Sequence, residues 1–458
     1  MKTAVILAAG QGSKMWPFSE TQPKVCLPIA GQPLIAYTLN MLRELGFEDV
    51  RVVVGHLEEQ VKSALGRCSD VRYYRQSRLT GSAGALQQVY AGDDLEECLV
   101  IYGDVLVGSS DVKNLLDVHK KRQAFATTLV MPLEDERPID WLCAEVRDNK
   151  VSAILGHPRR NATHRLTGIA ALSGDARTFI ESNPGVMTSI LAGQMPLLES
   201  ELAQSFQDAI DAGQQIHAIP IQDIFVDIDK PWHLLEANRE YLKHTFSRVA
   251  GNRIPSSSVV STRADIRGKL ILGENVYIGP GVRINGDLMV GDNTIIDNGA
   301  IIGKSCSIGK NCRVENYCQL SDFTSVGDYC QINHCAELSG LIMSRVHLYH
   351  FMEYDGVIGR ATDLGAGTVC GNLRFDDANT VHHMKGRKEY PKEFSNCVYI
   401  GDFCRTGVNV TLMPGVKIGP YSVIGPGVLV DEDIPSRTCT YIKQELTRRT
   451  WGPEQYGW

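Results

Sequence analysis

Along residues 1–245, short apolar runs alternate with stretches whose apolar positions recur at helical spacing. The runs at 4–8, 50–54, 71–74, 98–102 and 125–130 read as strands, and 35–45, 57–65, 83–91 and 112–121 read as helices. Strands alternating with helices predict an α/β domain with a mostly parallel, Rossmann-like sheet covered on both faces. In such sheets ligands bind beyond the carboxyl ends of the strands. That places residues 9–24, after the first strand, and Gly103-Asp104, after the run at 98–102, on one edge.

From residue 260 the period becomes six. Val260, Ile266, Leu272, Ile278, Ile284, Val290, Ile296, Ile302, Ile308, Val314, Leu320, Val326, Ile332 and Leu338 are all aliphatic, and the step resumes at Ile400, Thr406, Leu412, Ile418, Ile424 and Val430. Four residues after many of these comes a small side chain, such as Thr294, Ala300, Cys306, Cys312, Cys318, Thr324 or Cys330. A hexapeptide period predicts an all-β parallel β-helix over 246–458, with three flat sides per coil and both residue sets pointing into a narrow core. The period breaks at 344–357 and 375–397. Both breaks are expected to be loops that leave the coil on a binding face.

Composition narrows the partners. The 458-residue chain carries a net charge of −7, which argues against a nucleic-acid binder. It has no apolar run long enough to span a membrane, and residues 2–9 read as a mature strand rather than a leader. Thirteen scattered cysteines with no CxxC pair fit a reducing cytoplasm, and those on the six-residue step are expected to be core packing.

The loop "ILAAGQGSKMWPFSETQPK" carries the first chemistry. A glycine loop after a first strand offers backbone N–H groups to a polyphosphate. Lys14 and Lys24 add positive charge, and a strand-end carboxylate can hold Mg2+ against phosphate. Together these features suggest nucleotidyl transfer.

The same stretch, continued as "VCLPIAGQPLI", resembles the signature of sugar-1-phosphate nucleotidyltransferases. The resemblance implies nucleotide contacts at Ala8, Ala9, Gly10 and Gly12 and catalytic roles for Lys14 and Lys24. "QSRLTGSAGAL" is similar to the family's base-binding loop, implying Gln76, Gly81 and Ser82. "YGD" and "VDIDKPWHLLEAN" resemble its metal segments, implying Asp104 and Asp227 as Mg2+ ligands. Gly168 falls on a sugar-binding element. Farther on, "HFMEYDGVIGRATDLGAGTVCGNLRFD" resembles the acetyl-transfer stretch of the bifunctional enzymes that make UDP-N-acetylglucosamine. That implies a left-handed coil, His350 as general base, Asn372 as a sugar contact, acetyl-CoA as co-substrate and a homotrimer. The implied substrates of the first site are a nucleoside triphosphate, UTP favoured, and a sugar-1-phosphate.

Several positions depart from these patterns. Lys14 stands for an arginine, which keeps the charge and loses the bidentate fork. Gly156 and His157 replace a Glu-Lys pair, Leu166 replaces an asparagine, Asp229 replaces a glycine, and Asp363 replaces an asparagine. Asp229 reads as either a third metal ligand or a solvated loop charge. The departures leave open an altered sugar, or a decayed site that binds nucleotide in a regulatory or scaffold role.

Overall fold

The computed structural model describes residues 1–134, 136–159, 161–185 and 199–456. In chain order the first half contains β1 (Thr3–Ala8), α1 (Leu34–Glu44), β2 (Asp49–Val54), α2 (Glu58–Leu65), β3 (Val71–Arg75), α3 (Gly81–Gly92), β4 (Cys98–Tyr102), β5 (Val105–Val107), α4 (Ser109–Arg122), β6 (Ala126–Pro132), β7 (Cys143–Arg147), β8 (Lys150–Gly156), β9 (His164–Leu172), α5 (Ala176–Glu181), α6 (Leu202–Asp211), β10 (Ile216–Pro220), β11 (Phe225–Asp227) and α7 (Pro231–Ser247). The main sheet runs β3-β2-β1-β4-β9-β6-β10-β8-β7. Its β3-β2-β1-β4 block is parallel, while β9 runs against β4 and β6. All but β8 and β9 share one direction, so the sheet is mostly parallel as expected, with antiparallel pairings only beyond β4. Ala4 and Ile6 pack with α1, α2 and α4 on one face, whereas Val5 packs with α3, α5 and α6 on the other. Burial on both faces is why the strands read as unbroken apolar runs.

Past α7 the chain winds into a parallel β-helix. Ile278, Ile284, Ile296, Ile302 and Val314 are fully buried in its core, with Cys306, Cys312, Cys318 and Cys330 beside them. The thiols donate to carbonyls of the neighbouring coil, as Cys312 does to Gly327 and Cys330 to Met343. Corner residues take left-handed backbone, which favours asparagine. Asn275 and Asn293, and likewise Asn298 and Asn316, stack one coil apart through 3.1 Å amide bonds.

The break at 344–357 is not a loop, which corrects the sequence expectation. Gln319 pairs with Glu337, eighteen residues on, but Ser325 pairs with Leu341, sixteen on. Two residues are missing from one corner, so the buried positions step from Leu338 to Ile342, and again from Tyr354 to Ile358. Gly340 and Gly356 make these shortened corners, with φ of 107° and 141°. A Cβ on Gly340 would strike the Gly356 carbonyl oxygen, and one on Gly356 would strike that of Val398. Strict counting loses the pattern here because the spacing changes while the coil continues.

The shortened corner forms a shoulder against which the first domain packs. Trp232, Leu234 and Leu235 of α7 share a buried cluster with Leu341, Met343, Val357 and Tyr399 of the coil. Fully buried Asp402 ties the same face to the loop after β1. It accepts from Arg360 Nε at 2.7 Å, Thr21 Oγ1 at 2.8 Å and Gln22 Nε2 at 3.0 Å. Breaking so many bonds around one buried carboxylate is costly.

The second break does leave the coil, between Val369–Cys370 and Val398–Ile400, and carries a hairpin of His382–Met384 and Arg387–Glu389. It folds back over the first domain. His382 packs on Trp232 at 4.9 Å, Arg137 lies 5.6 Å over Tyr390, and Arg239 pairs with Glu393. Buried His382 is neutral with a defined tautomer: Nε2–H donates to the Ser395 carbonyl at 2.8 Å, and Nδ1 accepts from Lys417 Nζ at 3.1 Å. Burial, with Lys417 adding, pulls its pKa down to about 4.

Gly356→Val is expected to lower the thermal midpoint sharply, through a loss of about 3 kcal/mol or more. Gly251→Ala, where a Cβ meets nothing within 4 Å, serves as the neutral control in the same calorimetric scan. His382 generates a pH dependence. Between pH of about 6.5 and 4 the unfolded chain binds its proton and the folded chain does not, so stability falls as pH falls through that window. Thermal midpoints recorded across it should decline for the wild type and decline less for His382→Gln, whose amide meets both partners without titrating.

Candidate active site

The loop after β1 turns at Gly12, whose φ is 60°. A Cβ there would lie 2.8 Å from Lys24 Cβ, so glycine lets Lys24 cross the loop. The loop, Gly10 and Gly12 foremost, walls a cavity of about 260 Å3 with Lys14, Lys24, Asp104 and Asp229. A second cavity, of about 280 Å3, is lined by Ala9, Gln76, Gly81, Ser82, Glu199 and Glu201. A third, of about 530 Å3, is lined by Trp141, His157, Leu166, Gly168, Phe206 and Asp227, among others. Asp104 borders all three, so they form one cleft. Two larger hollows, of about 850 and 780 Å3, lie elsewhere on the first domain and include none of these residues.

The two aspartates come from distant segments. β5 and β11 pair antiparallel, with Asp227 opposite Val105, and the Ile228 N–H donates to the Asp104 carbonyl at 3.0 Å. That pairing sets both side chains on the cleft. Lys24 Nζ lies 2.7 Å from Asp104 Oδ2 and 3.6 Å from Asp229 Oδ1. Burial works against the Lys24 ammonium, but Asp104, Asp229 and Asp227 outweigh it and hold its pKa above the ordinary value. Burial pushes the Asp227 carboxyl up to about 6; Lys24 opposes this, and the charges of Asp104 and Asp229 add to it. A buried carboxyl that neighbouring like charges push up further is one that a hard cation would relieve. Asp104 and Asp227 fit Mg2+, which binds through one or two carboxylates and keeps several waters. Among the described residues no group of three or more His, Cys, Asp or Glu is arranged to hold a metal ion.

Asp229 is not a solvated charge. Its Oδ2 lies 3.1 Å from Lys14 and 3.2 Å from Lys230, with Lys24 on the other oxygen. Burial opposes ionisation, but Lys24, Lys14 and Lys230 hold its carboxyl far below the usual range. The Asp229 N–H donates to His233 Nδ1 at 3.1 Å, which fixes the loop. The neighbour Lys230 went unnoticed in the sequence, although it stands inside the quoted "VDIDKPWHLLEAN".

The remaining expected contacts are placed as follows. Ala8 and Ala9 are buried under the loop. Gln76 donates to Thr80 Oγ1 and the Gly81 carbonyl, both at 3.1 Å. Gly81 opens α3 with φ of 85°, against Ser200. The Ser82 hydroxyl is occupied by Glu201 at 2.5 Å. Gly168, with φ of 75°, lies against the Tyr102 ring, where a side chain would collide. On the β-helix, His350 is exposed at a corner with φ of 63°, stacked on His334 with ring centres 4.4 Å apart. The Gly367 N–H donates to its carbonyl at 2.9 Å, so the Gly365-to-Thr368 turn lies one coil above. Asn372 follows the strand Val369–Cys370 at the start of the insertion and is exposed.

A phosphate-loop sheet joined to a repeat-built coil defines a two-domain transferase. The nucleotidyl transferase family model matches residues 3–244, more than half of the chain, and the chain belongs to that family. The model described as GMPPB C-terminal domain matches residues 250–345, and six bacterial transferase hexapeptide repeats match 397–432. The bifunctional protein GlmU of Methanococcus maripaludis strain C7 is 32% identical over 97% of this chain and 98% of its own length. A bifunctional sugar-1-phosphate nucleotidylyltransferase/acetyltransferase of Sulfurisphaera tokodaii is 28% identical over 94% of this chain and 98% of its own. A solved UDP-glucose pyrophosphorylase complexed with UDP-glucose is 18% identical, with a TM-score of 0.46 over 53% of this chain and 99% of its own. Among the described residues no helix is long and apolar enough to cross a membrane.

Because Asp229 neutralises Lys14, Asp229→Gly should tighten nucleotide binding, by about fivefold or more. Lys14→Ala should loosen it by a similar factor. Fluorescence titration of the three proteins with UTP and Mg2+ reads both changes; equal affinities would mean that Lys14 does not meet the triphosphate.

Proposed function

We propose that residues 1–245 join a nucleoside triphosphate, UTP favoured, to a sugar-1-phosphate with release of pyrophosphate. Residues 246–458 would transfer an acetyl group from acetyl-CoA to the amine of an amino-sugar phosphate. The observation that carries the first half is the single cleft in which Asp104 meets the glycine loop, Lys24 and the Gln76 pocket. The smallest cavity suits the triphosphate, the Gln76 cavity the base, and the largest the sugar. The sugar phosphate oxygen attacks the α-phosphate in line, and Lys24 and Lys14 stabilise the charge that grows on the phosphate oxygens. Mg2+, held by Asp104, Asp227 and water, would supply further neutralisation. Positioning comes from Gly12 and Gly168, which let the chain approach closely.

In the second half His350 takes the proton of the acceptor amine as the amine attacks the thioester carbonyl. Its exposed corner carries Tyr317 and Phe351, and exposed Leu373 and Phe375 stand on the nearby insertion. An apolar edge of this kind suits packing against a second copy, so the acetyl site would be completed between chains of a homotrimer. A second reading, nucleotide binding without turnover, draws on the neutralisation of Lys14 by Asp229.

Pure protein incubated with each nucleoside triphosphate, Mg2+ and a panel of sugar-1-phosphates should release pyrophosphate, fastest with UTP. Asp104→Asn should cut that rate by about 100-fold or more while leaving the fold intact. Free thiol released from acetyl-CoA with glucosamine-1-phosphate, and lost in His350→Ala, tests the second half. Nucleotide binding with no pyrophosphate from any pair would leave the binding-only reading.

A further inference from the structure

We propose that Glu389, carried by the β-helix insertion, is a positioning residue of the nucleotidyl-transfer cleft, acting through Lys230 and Asp229 on Lys14. This rests on the reading of the cleft as a nucleotide site. The charges form an alternating chain from one domain to the other. Glu389 Oε1 lies 3.4 Å from Lys230 Nζ, and Lys230 Nζ lies 3.2 Å from Asp229 Oδ2. The same Oδ2 lies 3.1 Å from Lys14, and Oδ1 leads on to Lys24 and Asp104. Water screens the outer link poorly, because the Lys230 and Glu389 side chains are only 8% and 14% exposed. Pairs this enclosed interact more strongly than surface pairs.

In such a chain each group is shared, so strengthening one link weakens the next. Lys230 divides itself between Glu389 and Asp229. Asp229 divides itself between Lys230 and the two lysines that face phosphate. Glu389 therefore draws Lys230 outward and leaves Asp229 leaning on Lys14. Glu389 is also held in place, because the hairpin is pinned by His382 on Trp232, Arg137 over Tyr390 and Arg239 with Glu393. Burial and Lys14 lower the pKa of His157 on the cleft wall, and Arg387 of the same hairpin adds to the effect. The coil domain thus sets how much of the Lys14 charge remains for an incoming polyphosphate.

The test is a calorimetric titration of the full chain with UTP and Mg2+ in four forms. Glu389→Gln should bind about fivefold tighter than wild type, because Lys230 returns to Asp229 and Lys14 is released. Lys230→Met should bind about fivefold weaker, because Asp229 then rests on Lys14 and Lys24. The double variant should match Lys230→Met alone, which a purely structural role of Glu389 would not produce. Glu389→Asp, the gentler change, should shift affinity in the same direction as Glu389→Gln by a smaller factor. Glu389→Gln indistinguishable from wild type, or an equal shift with and without Lys230, would overturn the proposal. Pyrophosphate release by the same wild-type preparation separates the two readings. Coupled affinities without turnover would keep the Glu389 assignment and remove the enzymatic reading. Turnover without coupling would do the reverse, and absence of nucleotide binding would end both.

Discussion

Two missing residues govern the arrangement of the molecule. At Gly340 and Gly356 the coil turns its corner in four residues instead of six, and side chains are excluded there because the carbonyls of the next coil occupy their space. The shortened corner brings Leu341, Val357 and Tyr399 to a face on which α7 packs its Trp232, Leu234 and Leu235. The insertion at 371–397 leaves the coil one turn later at the same corner and therefore falls beside the docked domain. Apolar burial provides the stabilisation, and Asp402, whose bonds to Arg360, Thr21 and Gln22 need specific positions, fixes the relative placement of the two domains.

That placement shapes the electrostatics of the cleft. Three lysines, Lys14, Lys24 and Lys230, face three aspartates, Asp104, Asp227 and Asp229, in a partly dehydrated space. The lysines alone would grip a polyphosphate without assistance, and the aspartates alone would demand a cation. Interleaved, they hold one another ionised, as the raised Lys24 and the depressed Asp229 record. Asp227 is the exception: buried among like charges, it is the carboxyl that a cation would relieve most. Asp229 and Lys14, two positions that depart from the resembled pattern, pair with each other.

Much of this was legible from the chain. The run "TAVILA" followed by a glycine loop is a buried strand ending in a turn that walls a cavity, and local spacing alone carries the strand-and-turn reading. The expectation that Asp104 and Asp227 act together came from resemblance, and the antiparallel β5–β11 contact brings their two segments side by side. The coil was legible because a six-residue repeat buries the same position in every side. The break at 344–357 was misread as a loop because an exact period cannot register a deletion that the core absorbs. The role of Lys230 stood in plain view without a partner to give it meaning.

The sequence by itself determined the two architectures and the glycine loop. These depend on residue types at short spacing, where backbone geometry translates pattern directly into position. Only the tertiary structure decided that Asp229 would be held by three lysines, that β9 would enter the sheet reversed, and that Glu389 would lie against Lys230. Each of those outcomes is a contact between segments remote in the chain. Such contacts are set by how packed bodies fit together, and no local period encodes that fit.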